Sequence, residues 1–133
     1  MAEVRLSGLT KRFGDTLAVD EVSMNIPNGA FVTLLGPTGA GKTTILRLIA
    51  GLEQPDAGDV VIAGRSVVGD TPAQRNVAMV FQQYSLYPHM SVRENLAFPL
   101  RSPLLKTPAD EIDRKVAEVA EVLRISHKLA NKA

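Results

Sequence analysis

The chain contains no cysteine, so it forms no disulfide and offers no thiolate to a metal or an electrophile. That usage suits the cytosol. It also lacks a charge excess. Fifteen basic residues against fourteen acidic ones leave a net charge of +1 at pH 7, which provides no basic field for nucleic acid or an anionic membrane surface. Long apolar runs are missing too. The longest, Val77 to Phe81, falls far short of the ~20 residues that a membrane helix needs. The opening MAEVRLSGL is not a secretory signal. Internal repeats and low-complexity tracts are absent. What is present is the composition of a globular chain, 45% hydrophobic and 22% charged, in 133 residues, close to the commonest size of a single domain.

The first 65 residues are punctuated as strands and turns. Val22, Met24 and Ile26 alternate with Ser23 and Asn25. Pro27-Asn28-Gly29 follows as a turn, and then the run Phe31 to Leu35, a pattern that predicts a hairpin. The run FVTLL is apolar almost throughout, as strands covered on both faces are, and is expected in a central sheet. Lys42 to Ala50 places Ile45, Leu46, Leu48 and Ile49 on a helical face, with Gly51 set to end the helix in a left-handed cap. A turn at Pro55 to Gly58 leads to a predicted short strand at Val60 to Ala63. After a polar stretch another strand is expected at Val77 to Phe81.

The second half changes character. Ser91 with Glu94 is a capping box for a short helix that Pro99 closes. Thr107-Pro108 opens a longer helix in which Ile112, Val116, Val119 and Leu123 recur at core spacing, with Asp110/Arg114 and Glu111/Lys115 expected to pair outside. The fold class is therefore α/β with a helical tail, and the prolines between residues 99 and 108 mark a connection between helices.

The most informative stretch is LLGPTGAGKTT, residues 34–44. Within it GPTGAGKT, Gly36 to Thr43, fits the phosphate-binding pattern G-x-x-x-x-G-K-[ST]. The glycines permit backbone angles that aim successive N–H groups at one anion, and the helix that follows adds its positive end. The expected cradle is Gly36, Pro37, Thr38, Gly39, Ala40, Gly41, Lys42 and Thr43. In it Lys42 holds the β and γ phosphates of ATP and the Thr43 hydroxyl ligates Mg²⁺.

VFQQYSLYPHMSVRENL at residues 80–96, LTKRFG at residues 9–14 and the spacing of both from the glycine loop resemble the nucleotide-binding subunits of ATP-binding cassette (ABC) transporters. The resemblance is greatest to importer subunits for carbohydrates and related solutes, and covers the whole chain. It implies a P-loop NTPase fold of the ABC type, with an antiparallel β subdomain and P-loop core over residues 1–82 and the start of a helical subdomain over residues 83–133. It also implies three further site residues: Phe13 stacks on adenine, Thr44 reaches the α-phosphate, and Gln82 touches Mg²⁺ and the attacking water. The implied partners are transmembrane subunits, docked on the Gln82 to Met90 region, and a second nucleotide-binding subunit arranged head to tail. The implied location is the cytoplasmic face of a membrane. Two rival readings are a soluble cassette protein acting on nucleic acid or the ribosome, which the neutral charge and tight spacing disfavour, and a module that binds nucleotide without hydrolysing it.

Several features imitate the family's remaining motifs. Leu17-Ala18-Val19-Asp20-Glu21 is an apolar run ending in Asp-Glu, and Leu6-Ser7-Gly8 echoes the LSGGQ signature. Both precede the phosphate loop, where the family has neither motif, and both are read as coincidence. His89 and His127 have no companions at metal-ligand spacing. Tyr84, Tyr87, Pro88 and Met90 form an apolar cluster that suits either a core or a docking surface. In the family the signature, the second magnesium aspartate, the catalytic glutamate and the switch histidine all follow the helical region. Residues 1–133 are thus expected to be the N-terminal portion of such a subunit, with an incomplete core sheet, marginal stability and no ATP turnover alone.

Overall fold

A computed structural model describes residues 2–81, 85–103 and 105–133. The chain divides into two compact units, residues 1–79 and 80–133.

The first unit is built on a four-stranded antiparallel sheet of order β2-β1-β3-β4. Its strands are β1 (Val4–Phe13), β2 (Thr16–Ile26), β3 (Ala57–Ile62) and β4 (Arg65–Ser66). β1 and β2 form a hairpin that turns between Phe13 and Thr16 and runs back to the pair Val4 and Ile26. A shift of register between Leu6 and Leu9 changes the parity of β1, so both leucines are buried although they sit three residues apart. Onto this sheet packs α1 (Lys42–Ala50). Ile45 and Leu48 meet Leu6, Leu9, Val19, Val60 and Val67 in one core, with Leu34 and Ile49 at its margin.

α1 has the bounds and the left-handed Gly51 cap that its sequence predicts, with φ 78° at Gly51. The cap is reinforced from a distance. The stretch after β4, read only as polar, contains α2 (Pro72–Arg75), opened by a capping box between Thr71 and Gln74. α2 delivers Arg75 into the interior, where it is 4% exposed. Its Nη1 donates to the carbonyls of Leu48 (2.7 Å) and Ile49 (3.0 Å), and its Nε donates to that of Asp70 (3.1 Å). A helix leaves its last carbonyls without internal partners and carries negative potential at that end. Arg75 answers both needs for α1. Burial lowers its pKa from the ordinary arginine value, and the negative charge of Asp70 opposes that shift.

Two sequence expectations fail in this unit. Val22–Ile26 does not pair with Phe31–Leu35; it is the second half of β2, which pairs with β1 on one side and is the outer strand of the sheet on the other. The turn at Pro27 forms, with Ala30 N–H donating to the Pro27 carbonyl at 3.1 Å. No ladder follows it: Phe31 is 95% exposed and Leu35 89%. Val77–Phe81 is likewise not a strand. Both runs have the composition of strands covered on two faces, and a strand persists only where neighbours take up its backbone groups. Among the described residues every ladder strand belongs to the antiparallel sheet, so the core sheet is indeed incomplete. The strand expected at Val60–Ala63 is present as β3 but begins earlier, at Ala57, and Ala63 leaves it with φ 51°.

The second unit contains α3 (Val92–Ala97), a 3-10 turn at Pro99–Arg101, α4 (Ala109–Val122) and a 3-10 turn at Ser126–Lys128. Ser91 and Glu94 make the expected capping box. Ala97, Ile112 and Val116 form its core with Leu96, Leu100 and Leu129. The apolar stripe of α4 is displaced from its expected course: Ile112, Val116 and Ala120 are buried, whereas Val119 is 45% exposed and Leu123 is exposed. The buried row follows i, i+4, i+8, with Ile112 and Val116 packed on Ala97 of α3. Lys115 pairs with Glu111 at 2.8 Å as expected, but Arg114 turns toward Glu118 (3.8 Å) instead of Asp110.

Candidate functional site

The loop before α1 begins with a turn in which Ala40 N–H donates to the Pro37 carbonyl at 3.3 Å. It ends at Gly41, the residue from which α1 starts, with φ 79°. Only glycine fits there. A Cβ at Gly41 would collide with the carbonyl oxygen of Ala18 in β2, so the loop lies directly against the hairpin. Gly39 has φ 86° but open space around it.

The first intrahelical bond of α1 runs from Ile45 N–H to the Gly41 carbonyl at 2.9 Å, and no side chain caps the helix. The N–H groups of the first turn therefore point out of the helix end unused, with the positive end of the dipole behind them. They face a cavity of about 180 Å³ lined by Thr16, Ala18, Gly39, Ala40, Gly41, Lys42, Thr43 and Thr44. Lys42 bends back along the loop. Its Nζ donates to the carbonyls of Gly36 (2.8 Å) and Pro37 (2.6 Å), folding the ammonium back over the loop. The arrangement combines free N–H donors, a helix N-terminus and a cation held by the loop around one concavity, which is what a phosphate chain requires.

Of the residues singled out in the sequence, Gly39 through Thr44 line the cavity together. Gly36 and Pro37 contribute carbonyls to Lys42, and Thr38 is exposed in the turn between them and Gly39. Phe13 ends β1 opposite Thr16, a residue of the cavity wall, and its ring is 45% exposed. Gln82 and Tyr84 lie outside the described residues. Thr16 and Ala18 escaped the sequence reading because nothing marks two residues of an edge strand as cavity wall. Arg75 escaped it too, although Thr71-Pro72-Ala73-Gln74 carried the signal of a capped helix.

Asp20 and Glu21 lie in β2, exposed and outside the cavity lining, with Glu21 N–H donating to Thr10 Oγ1 at 3.2 Å. Leu6-Ser7-Gly8 is part of β1. Among the described residues no three His, Asp or Glu side chains gather as a metal site. In the second unit Tyr87 packs on Phe98, ring centroids 4.6 Å apart, and meets His89 edge-on. Asn95 holds that loop by accepting from Tyr87 N–H at 2.9 Å and donating to the carbonyls of Tyr87, Met90 and Ser91.

A glycine loop between an apolar run and an uncapped helix, beside an antiparallel sheet, is the P-loop NTPase arrangement, present here in part. The ABC transporter family model matches residues 19–133, and the chain belongs to that family. It is 48% identical over 132 residues to the xylose/arabinose import ATP-binding protein of Haloferax volcanii, covering 99% of this chain and 34% of that protein. It is 50% identical to the trehalose/maltose import ATP-binding protein of Thermococcus litoralis, covering 99% and 37%. With the spermidine/putrescine import ATP-binding protein of Rubrobacter xylanophilus it shares 51%, covering 92% and 32%. The chain thus spans about a third of the length of the curated relatives it matches. Among solved structures, a nucleotide-free ATP-binding cassette from an ABC transporter superposes with a TM-score of 0.82 at 27% identity, covering all of this chain and 58% of that one. A dimeric post-hydrolysis cassette bound to ADP and Pi superposes with a TM-score of 0.77 at 29% identity, covering 97% and 60%.

Proposed function

We propose that this chain binds ATP with Mg²⁺ as part of the ATPase subunit of an ABC importer for a small polar solute. The observation that carries the reading is the cavity of residues 39–44: an uncapped helix end, a glycine that only a bare backbone can replace, and a cation folded over the same loop. In this reading Gly36 through Thr43 wrap the β and γ phosphates, Lys42 exchanges its two loop carbonyls for phosphate oxygens, and Thr44 serves the α-phosphate. Thr43, exposed at the cavity, holds Mg²⁺ through its hydroxyl together with Gln82. The ion's contribution is to neutralise charge on the phosphates. Phe13, one ladder pair from the cavity wall, offers its ring to the base.

Binding is the part of the cycle these residues support. Hydrolysis also needs a group that orients water, and Asp20 and Glu21 are exposed on β2 outside the cavity lining. We infer that turnover depends on a water-orienting group other than these two and on a second nucleotide-binding subunit. The dimeric cassette among the structural relatives supports the latter.

Calorimetric titration with Mg²⁺-ATP tests the phosphate assignment. Lys42→Ala is expected to weaken binding by about 1.5–3 kcal/mol, the range for a hydrogen bond to a charged group. Affinity equal to that of the unaltered chain would overturn it.

The solute class rests on the relatives' printed substrates, sugars in two and polyamines in the third. No helix among the described residues is long and apolar enough to cross a membrane; the likeness to import ATP-binding proteins supports transmembrane subunits as partners. We place their contact at the Gln82 to Met90 segment, where Leu86 and Tyr87 are exposed on a loop held by Asn95, at the cytoplasmic face. Single cysteines at 86, 87 and 90 in the assembled transporter are expected to crosslink to a membrane subunit. Failure of all three would remove the assignment.

A further inference from the structure

Three consecutive residues near the end of β1, Thr10 to Arg12, are tied to one residue, Asp56. Asp56, the residue before β3, donates its N–H to the Thr10 carbonyl at 2.9 Å. Its Oδ2 accepts from Arg12 N–H at 2.6 Å, and its Oδ1 accepts from Lys11 Nζ at 3.2 Å. The Lys11 ammonium in turn lies 5.4 Å from the centroid of the Phe13 ring, over its face. Lys11 and Phe13 are two apart on a strand, which puts both side chains on one side of it. The Lys11 side chain is only 14% exposed, unusually sheltered for a lysine.

We propose that Lys11, held by Asp56, is a positioning residue for the Phe13 ring, closing one face of the ring so that the purine of a nucleotide is received on the other. This rests on the reading of Phe13 as the base platform. An aromatic side chain at a strand end, half exposed and unsupported, samples several rotamers, and binding a flat base must first select one of them. A cation over one face fixes the ring through its quadrupole. The cation itself is fixed by a carboxylate that the backbone of Arg12 holds, so the support starts and ends within residues 10–13. The same cation draws electron density toward the occupied face, leaving the opposite face less negative and better suited to an electron-rich purine. The contribution is selective in kind: it acts on ligands that carry a base and is silent for a bare phosphate chain.

That selectivity supplies the test. Affinities for Mg²⁺-ATP and for inorganic tripolyphosphate with Mg²⁺ are measured for the unaltered chain and for Lys11→Met, Asp56→Asn, Phe13→Ala and the Lys11→Met/Phe13→Ala pair, with thermal melting of each. Lys11→Met keeps the length of the side chain and removes the charge. It is expected to weaken ATP roughly two- to fivefold, the scale of a cation–π contact, and to leave tripolyphosphate unchanged. Asp56→Asn is expected to act in the same direction and serves if the lysine variant does not fold. Phe13→Ala is expected to cost ATP binding about fivefold or more, and Lys11→Met added to it is expected to change nothing further. If Phe13→Ala leaves ATP affinity intact, the stacking reading itself is wrong and the Lys11 role falls with it. If Phe13→Ala weakens ATP while both Lys11→Met and Asp56→Asn do not, the platform stands and the role of Lys11 is overturned. Equal losses for ATP and tripolyphosphate would also overturn it, by moving the effect of Lys11 to the phosphates or the fold.

Discussion

Arg75→Ala is expected to lower the unfolding free energy by roughly 2–4 kcal/mol, the scale set by leaving interior carbonyls without their donor. Three carbonyls, those of Leu48, Ile49 and Asp70, accept from this one guanidinium. Its loss leaves the carbonyls of Ile49 and Asp70 without that donor, while Leu48 keeps the Gly51 N–H, and a buried polar group left unsatisfied costs about 1–3 kcal/mol. The end of α1 also loses the cation that balances its dipole. Gly51 adds to the dependence, because any side chain there would run into the Arg75 guanidinium and the Asp70 carbonyl. Arg75→Lys is expected to recover only part of the loss. A single ammonium on a flexible stem does not span carbonyls from two segments as a planar fork does. Equilibrium urea unfolding, monitored by two probes to establish a two-state transition, gives the comparison. An alanine variant within 1 kcal/mol of the unaltered chain would mean that water or the backbone replaces the guanidinium, and Arg75 would lose its place in the core.

Arg75 also shows where sequence reading stops. The phosphate loop and α1 were legible because each rule involved is local: a glycine spacing, a helical face, a left-handed cap at Gly51. The capping boxes obey equally local rules, and the one at Ser91 was read while the one at Thr71 was passed over inside a polar stretch. What no local rule supplies is that the cation ending α2 reaches the carbonyls of a helix 26 and 27 residues earlier. Phe31–Leu35 failed for the opposite reason. Its composition is that of a buried strand, but a strand is a relation between segments, and among the described residues no segment pairs with FVTLL. Within the site the same division holds. Gly39 to Thr44 announced themselves by pattern, whereas Thr16 and Ala18 become cavity wall only because the hairpin lies against Gly41.

That contact makes Gly41→Ala the most damaging single methyl group in the binding site. At Gly39 and Gly41 alike, an alanine would have to adopt positive φ, 86° and 79°, which costs an L-residue about 1–2 kcal/mol. Only at Gly41 does the methyl also meet backbone, the Ala18 carbonyl of β2, which cannot rotate aside. Either the hairpin retreats or the start of α1 does, and in both cases the N–H groups of the first turn lose their common aim. Gly41→Ala is therefore expected to weaken Mg²⁺-ATP binding at least ~100-fold, equivalent to about 2.7 kcal/mol, and to lower the melting temperature. Gly39→Ala, strained but unobstructed, is expected to lose no more than about tenfold, in keeping with backbone strain alone. Calorimetric titration and melting of the two variants side by side separate collision from strain. Comparable affinities for the two, or a greater loss at Gly39, would show that the approach of the loop to Ala18 does not shape the site.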